Sequence, residues 1–127
     1  MSYPADFKYT KEHEWIKVDG NIGTIGITDH AQQALGDIVF VELPKPGATI
    51  TAGKSFGTVE SVKAVSDLYS PVTGTVAEVN AELSTAPEKI NSEPHTAWMV
   101  KVTLSDPSEL NSLLSAADYE KFAAEES

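Results

Sequence analysis

The chain contains no cysteine, which excludes disulfides, cysteine-containing zinc sites and a thiolate nucleophile. Positive charge is scarce. Nine basic residues stand against 19 acidic ones, for a formal charge of −10. Such a surface repels phosphate backbones, so it disfavours nucleic acid as a partner and favours basic-faced proteins. No stretch approaches the run of about 18 apolar residues that a membrane-spanning helix needs. Residues 1–9 carry neither an apolar signal core nor an Arg-rich amphipathic pattern. A soluble protein without membrane contact is expected, cytoplasmic by default, with a processed mitochondrial form as the exception. Linkers and low-complexity segments are lacking too: the 8 glycines and 7 prolines act as punctuation between short strand-like runs.

Hydrophobic residues make up 41% of the 127 positions, too many for a disordered chain. One domain over 1–127 is expected, with a core at about 15–104 and a C-terminal helical segment at about 106–124. Runs rich in Val, Ile, Thr and Phe dominate from Trp15 to about Leu104. Glu14–Val18 and Gly23–Thr28 read as a hairpin around Asp19-Gly20-Asn21. A short helix follows near 28–35, capped by Thr28 or Asp29 and closed by Gly36. Asp37–Leu43 is strand-like, and Pro44-Lys45-Pro46-Gly47 forces a turn. Four further strand-like pieces, Thr49–Thr51, Lys54–Ser61, Ala64–Tyr69 and Gly74–Asn80, are too closely spaced for helical crossovers. They predict a mainly β sandwich or flattened barrel.

A last strand spans Trp98–Leu104, and Ser105-Asp106-Pro107-Ser108-Glu109 announces a helix to about Leu114. Ser115 caps a second helix over Ala116–Ala124, with Tyr119 and Phe122 on its buried side. A weak internal echo links Ser55-Phe56-Gly57-Thr58-Val59-Glu60-Ser61-Val62 with Thr73-Gly74-Thr75-Val76-Ala77-Glu78-Val79, and two copies are too few to mark a solenoid.

Lys63 sits where one strand must reverse into the next, in a turn without Gly, Asn, Asp or Pro. A lysine there stands clear of the sheet with its amine reachable by another protein. Taken alone it is most simply a solvated turn residue. Its context says more. Glu60-Ser61-Val62-Lys63-Ala64, followed by Ser66-Asp67-Leu68-Tyr69-Ser70-Pro71-Val72-Thr73-Gly74, resembles the modification segment of the glycine cleavage H proteins. Tyr9-Thr10-Lys11-Glu12-His13-Glu14-Trp15, Gly26-Ile27-Thr28-Asp29-His30-Ala31-Gln32 and Leu35–Pro44 follow the same family pattern in order, so the likeness runs from about Phe7 to Phe122. The stretch Asn91–Trp98 departs from it. The family commonly has Tyr after the proline and Gly before the tryptophan, with one more residue between them.

The resemblance implies a flattened barrel-sandwich hybrid of lipoyl-domain type, a single lipoyl-carrier domain, with lipoate attached covalently through an amide to Lys63. It implies a non-catalytic carrier that visits a pyridoxal-phosphate-dependent glycine decarboxylase, a folate-dependent aminomethyltransferase and dihydrolipoyl dehydrogenase. The arm itself would be installed by a lipoate ligase or a lipoyl or octanoyl transferase. A loaded arm carries an ammonium, and an isolated charge out of water is costly. Glu14 and Asp67, in family-matching segments, are therefore candidates for an arm-docking cleft, and Glu60 for ligase recognition, against the plainer reading of all three as surface acids. A monomer is the simplest state for such a carrier.

Rival readings remain. An enzyme using Lys63 as a Schiff base would want a buried amine with a lowered pKa, whereas polar Ser61 and Ser66 and acidic Glu60 and Asp67 flank it. A biotin carrier would typically place methionines where Val62 and Ala64 stand. A role in relaying lipoate to other complexes would use all the same residues. His13, His30 and His95 are far apart in sequence and form no H-x-x-x-H pattern, so no metal site is expected. Trp15 and Trp98 read as core or rim residues.

Overall fold

The computed structural model describes residues 3–126. Its strands are β1 (Lys8–Tyr9), β2 (Glu14–Asp19), β3 (Ile22–Ile27), β4 (Ile38–Glu42), β5 (Thr49–Ile50), β6 (Ser55–Ser61), β7 (Val65–Tyr69), β8 (Gly74–Val79) and β9 (Val100–Leu104). Helices α1 (Asp29–Leu35), α2 (Lys89–Ser92) and α3 (Ala116–Glu126) are joined by 3₁₀ turns at Ala81–Ser84 and Pro107–Ser112. One sheet has the order β1-β2-β3-β9-β8-β5 and the other β4-β6-β7. Every pairing is antiparallel. This is the mainly β, barrel-sandwich architecture expected from the sequence.

Local chemistry accounts for the anticipated boundaries. Thr28 caps α1 by accepting the Ala31 N–H through its Oγ1, and Gly36 ends the helix at φ 81°, where its N–H donates to Gln32 O. Asp106 caps the turn at Pro107, but the segment expected as a helix to Leu114 is 3₁₀ and stops at Ser112. Ser115 Oγ accepts from Asp118 N at the start of α3, as foreseen. The last strand begins at Val100 and not at Trp98, whose N–H turns back to Thr96 O.

Two apolar clusters hold these layers together. The larger fills the space between the sheets with Ile16, Ile25, Val59, Leu68, Met99 and Val102, among others. The second, Phe7, Tyr9, Trp15, Ala116, Tyr119 and Ala123, lies under α3. Tyr119 stacks on Tyr9 at 4.8 Å between ring centroids. Its hydroxyl reaches His13 Nδ1 at 2.7 Å and Thr28 Oγ1 at 2.8 Å. Helix α3 is thereby tied both to the cap of α1 and to the turn that precedes β2. Phe122, expected on the buried side of α3, is half-buried.

The internal echo acquires a structural meaning. Gly57 in β6 and Gly74 in β8 occupy its matching positions. A Cβ on Gly57 would strike the Glu42 carbonyl oxygen, and one on Gly74 the Thr103 carbonyl oxygen. In both strands a neighbouring backbone approaches so closely that only glycine fits.

Candidate functional site

β6 and β7 are joined through Val62-Lys63-Ala64, and the turn closes without a positive φ at any of these residues. Ser61 makes this possible. Its N–H donates to Ala64 O at 2.8 Å, while its Oγ accepts from Ala64 N at 3.1 Å and from Lys63 N at 3.3 Å. A side-chain hydroxyl does here what turn-favouring residues do in ordinary hairpins. Val62 N also donates to Asp37 O at 3.0 Å, which fixes the tip to the start of β4.

Lys63 is exposed and has no ion-pair partner among the described residues. Its stem runs over Gly36: a Cβ built there would lie 3.3 Å from Lys63 Cε. Asn91 braces this floor. Its Nδ2 donates to Gln32 Oε1 and to Gly36 O, both at 2.9 Å, and its Oδ1 accepts the Ile38 N–H at 2.8 Å. One amide thus joins the end of α1 to the start of β4 beneath the lysine. Neither Asn91 nor Ser61 was singled out from the sequence; Ser61-x-x-Ala64 at a glycine-free reversal was the available signal.

Glu14 is buried, only 2% exposed. Thr10 Oγ1 donates to its Oε1 at 2.6 Å and Tyr69 N to its Oε2 at 3.1 Å. Burial pushes the carboxyl pKa up to about 8, although both hydrogen bonds pull it down. Desolvation wins because, among the described residues, no cation acts on the carboxyl to favour its charged form. Hollows open beside its partners Thr10 and Tyr69. One, of ≈ 440 Å³, is lined by Glu12, Gly53 and Tyr69, and another, of ≈ 280 Å³, includes Thr10, Glu12, Gly53 and Ser70.

The other two candidate acids stay on the surface. Glu60 and Asp67 are both exposed, Glu60 paired between Phe40 and Val65 and Asp67 opposite Thr58. Asp67 is two residues from Tyr69 along β7 but makes no hydrogen bond to Glu14 among the described residues. The structure brings Glu14 to the far end of the strand that leaves Lys63, and leaves Glu60 on β6 and Asp67 on β7, both on the open face of that sheet.

The sequence model of the Glycine cleavage H-protein family matches residues 7–126. The chain belongs to that family. It is 75% identical over 126 residues to the glycine cleavage system H protein of Koribacter versatilis, covering 99% of this chain and 98% of the relative. It is 64% identical to that of Acidobacterium capsulatum, with the same coverage of 99% and 98%. Among solved structures, a glycine cleavage system H protein from Mycobacterium marinum superposes with a TM-score of 0.86 at 39% identity, over 98% of each chain.

In this member of the H-protein family the stretch before Trp98 is well tied down. Trp15 Nε1 donates to Pro94 O at 2.9 Å, and His95 Nε2 accepts the Asp29 N–H at 3.2 Å. That acceptor role requires a neutral ring nitrogen, and burial holds the His95 pKa below its usual value. His13 and His30 stack at 4.3 Å. No group of three or more His, Asp or Glu able to hold a metal occurs among the described residues. Trp15 is a core residue, while Trp98 is half-buried under the Lys101 ammonium, 4.9 Å from its ring centroid. No described helix is long and apolar enough to cross a membrane. For a covalent acyl group the residues present are suited: Lys63 offers an exposed amine with no ion-pair partner among the described residues, on a braced turn, and a hollow opens at the far end of β7, at Tyr69.

Proposed function

We propose that this chain is the non-catalytic lipoyl carrier of a glycine cleavage system, with lipoate in amide linkage to Lys63. The observation that carries this reading is the exposed lysine at a hairpin tip braced by Ser61 and Asp37, in a chain that matches the H-protein family over residues 7–126. Bound there, lipoate would supply a dithiolane that takes up an aminomethyl group at a pyridoxal-phosphate glycine decarboxylase, yields the one-carbon unit at a folate-dependent aminomethyltransferase, and is reoxidised by dihydrolipoyl dehydrogenase.

The chain's own residues tether, place and shelter. Tethering at Lys63 gives a docked partner a local concentration in the millimolar range. Strand β7, five residues or about 17 Å long, leads from the turn to Tyr69, so an arm laid along it from Lys63 points toward the hollow lined by Glu12, Gly53 and Tyr69. Glu14, behind that hollow, holds a proton that it gives up when a cation arrives: the new positive charge stabilises the carboxylate and lowers its pKa. Asp67 adds negative potential along the path. Docking of basic-faced partners onto a chain of charge −10 weakens with salt. A monomer working in the cytoplasm suits a carrier that must meet several enzymes in turn.

Intact mass and peptide mapping on chain produced in lipoate-supplied cells test the reading. A lipoyl increment on the Lys63 peptide, absent in Lys63→Ala, supports it. No increment in the presence of an active ligase returns Lys63 to an ordinary turn lysine.

A further inference from the structure

The large hydrophobic side chains exposed among the described residues are Val39 (52%), Phe40 (48%), Val62 (69%) and Val65 (65%). All four gather at one place. Val62 is Lys63's neighbour in the turn, Val65 opens β7, and the β4–β6–β7 pairing aligns Phe40, Glu60 and Val65 in one row. The inner face of this sheet is ordinary, with Ile38, Val41, Val59 and Leu68 buried. The outer face of a half-covered antiparallel sheet should alternate to polar residues. Here it does not.

A bulge sharpens the anomaly. The register of β4 shifts between Ile38 and Phe40, so Val39 and Phe40 are both exposed in succession. Bulges re-aim side chains, and this one adds a second apolar side chain to the rim of the lysine turn. Exposed Glu60 lies within the patch between Phe40 and Val65, and exposed Asp37, Glu42 and Asp67 rim it. None of the four apolar residues contributes to the core, and exposed apolar patches rimmed by polar residues mark interaction sites.

We propose that this apolar patch with its acidic rim is the docking face for the enzyme that acylates Lys63, a protein presenting an apolar socket edged by Lys and Arg. The inference rests on the lipoyl-carrier reading and deepens it. Reach selects the partner. To acylate Lys63, an enzyme must bring its reaction centre to an amine only four methylenes from the backbone, so its surface covers whatever surrounds the turn. The enzymes that use the finished arm meet its far end and can dock elsewhere. In the step itself the Lys63 amine attacks the carbonyl of an acyl adenylate. The amide C–N bond forms, the C–O bond to the phosphate breaks, the nucleotide monophosphate leaves with the electron pair, and the former ammonium releases two protons to base or solvent.

The test uses full-length, unacylated chain and a purified lipoate–protein ligase supplied with lipoate and ATP, following acylation by intact mass. Phe40→Ser with Val65→Ser is expected to lower kcat/KM for acylation about tenfold or more, chiefly by raising KM, and to weaken binding of the unacylated chain to the ligase. Val65→Lys, a residue suited to an edge strand, gives the same direction without risk to the core. Both variants, once loaded by prolonged incubation, should pass through the later transfer steps within about twofold of wild type. Acylation of the variants at wild-type kcat/KM overturns the inference, as does an equal loss in every later step. A patch that instead controls self-association, seen as a change in sedimentation, also overturns it. A wild-type chain that accepts no acyl group overturns the carrier reading first, which keeps the two failures distinct.

Discussion

The backbone N–H of Tyr69 donates to Glu14 Oε2 across 3.1 Å, which fastens a carboxyl only 2% exposed to the strand leaving Lys63. Among the described residues the acid is held by two donors and no cation, so its charge depends on what arrives nearby.

That arrangement predicts an inverted pH dependence. Burial raises the Glu14 pKa to about 8 from the usual 4.5, so between these values the unfolded chain loses a proton that the folded chain keeps. Glu14's contribution to folding stability is therefore largest below about 4.5, declines as pH rises toward about 8, and levels off above it. Glu14→Gln can still accept from Tyr69 N and donate to Thr10 Oγ1, and lacks this slope. Urea midpoints at about pH 5, 7 and 9 decide the matter; a decline in the variant parallel to wild type would show that another group is responsible.

Asn91→Ala should cost roughly 2–3 kcal/mol, since it strands the Ile38 N–H, the Gly36 carbonyl and the Gln32 amide together. It should also loosen the lysine turn through Asp37. The Val62 amide, bonded to Asp37 O, is the reporter. Its hydrogen exchange is expected to quicken more than that of β9 amides. A uniform change would mean that Asn91 supports only the fold at large.

Tyr119→Phe removes a hydroxyl shared by His13 Nδ1 and Thr28 Oγ1. A loss of about 1–2 kcal/mol follows, or roughly 3–8 °C in melting temperature. Exchange protection should fall first in α3. An unchanged melting temperature would show that the ring stacking on Tyr9 holds the helix by itself.

Gly57→Ala and Gly74→Ala each press a methyl group against a neighbouring carbonyl oxygen, and each should cost at least about 2 kcal/mol. Denaturation midpoints check both. If either alanine is accommodated at no cost, the close approach at that position is relaxed in solution.

Much of this was legible in the sequence because short-range chemistry decided it. The Thr28 cap and Gly36 stop delimit α1, and the Asp19-Gly20-Asn21 turn sets the first hairpin. The proline-rich turn ends β4. Lys63 was legible as a projecting turn residue. Glu14 was not legible as buried: Glu14, Trp15 and Ile16 are all buried in succession, because an aromatic cluster covers one face of β2 and the main core the other. No local pattern reveals a strand covered on both sides. Asn91 escaped notice because its three partners lie 53 to 59 residues away in sequence. Val39 and Phe40 lie in a run read only as strand-like, in which alternation from Ile38 would turn one of them inward; the register shift in β4 leaves both outside.

The hydroxyl-braced turn has a kinematic consequence. With the Val62, Lys63 and Ala64 amides all engaged, the pivot of any group attached to Lys63 is stationary, and motion begins at the side-chain torsions. Such a group sweeps a shell about a fixed origin instead of the blurred volume that a wagging loop would give. Its encounter statistics with a docked partner are then set by side-chain rotamers, which exchange within nanoseconds in exposed residues, well ahead of any rearrangement of the sheet below.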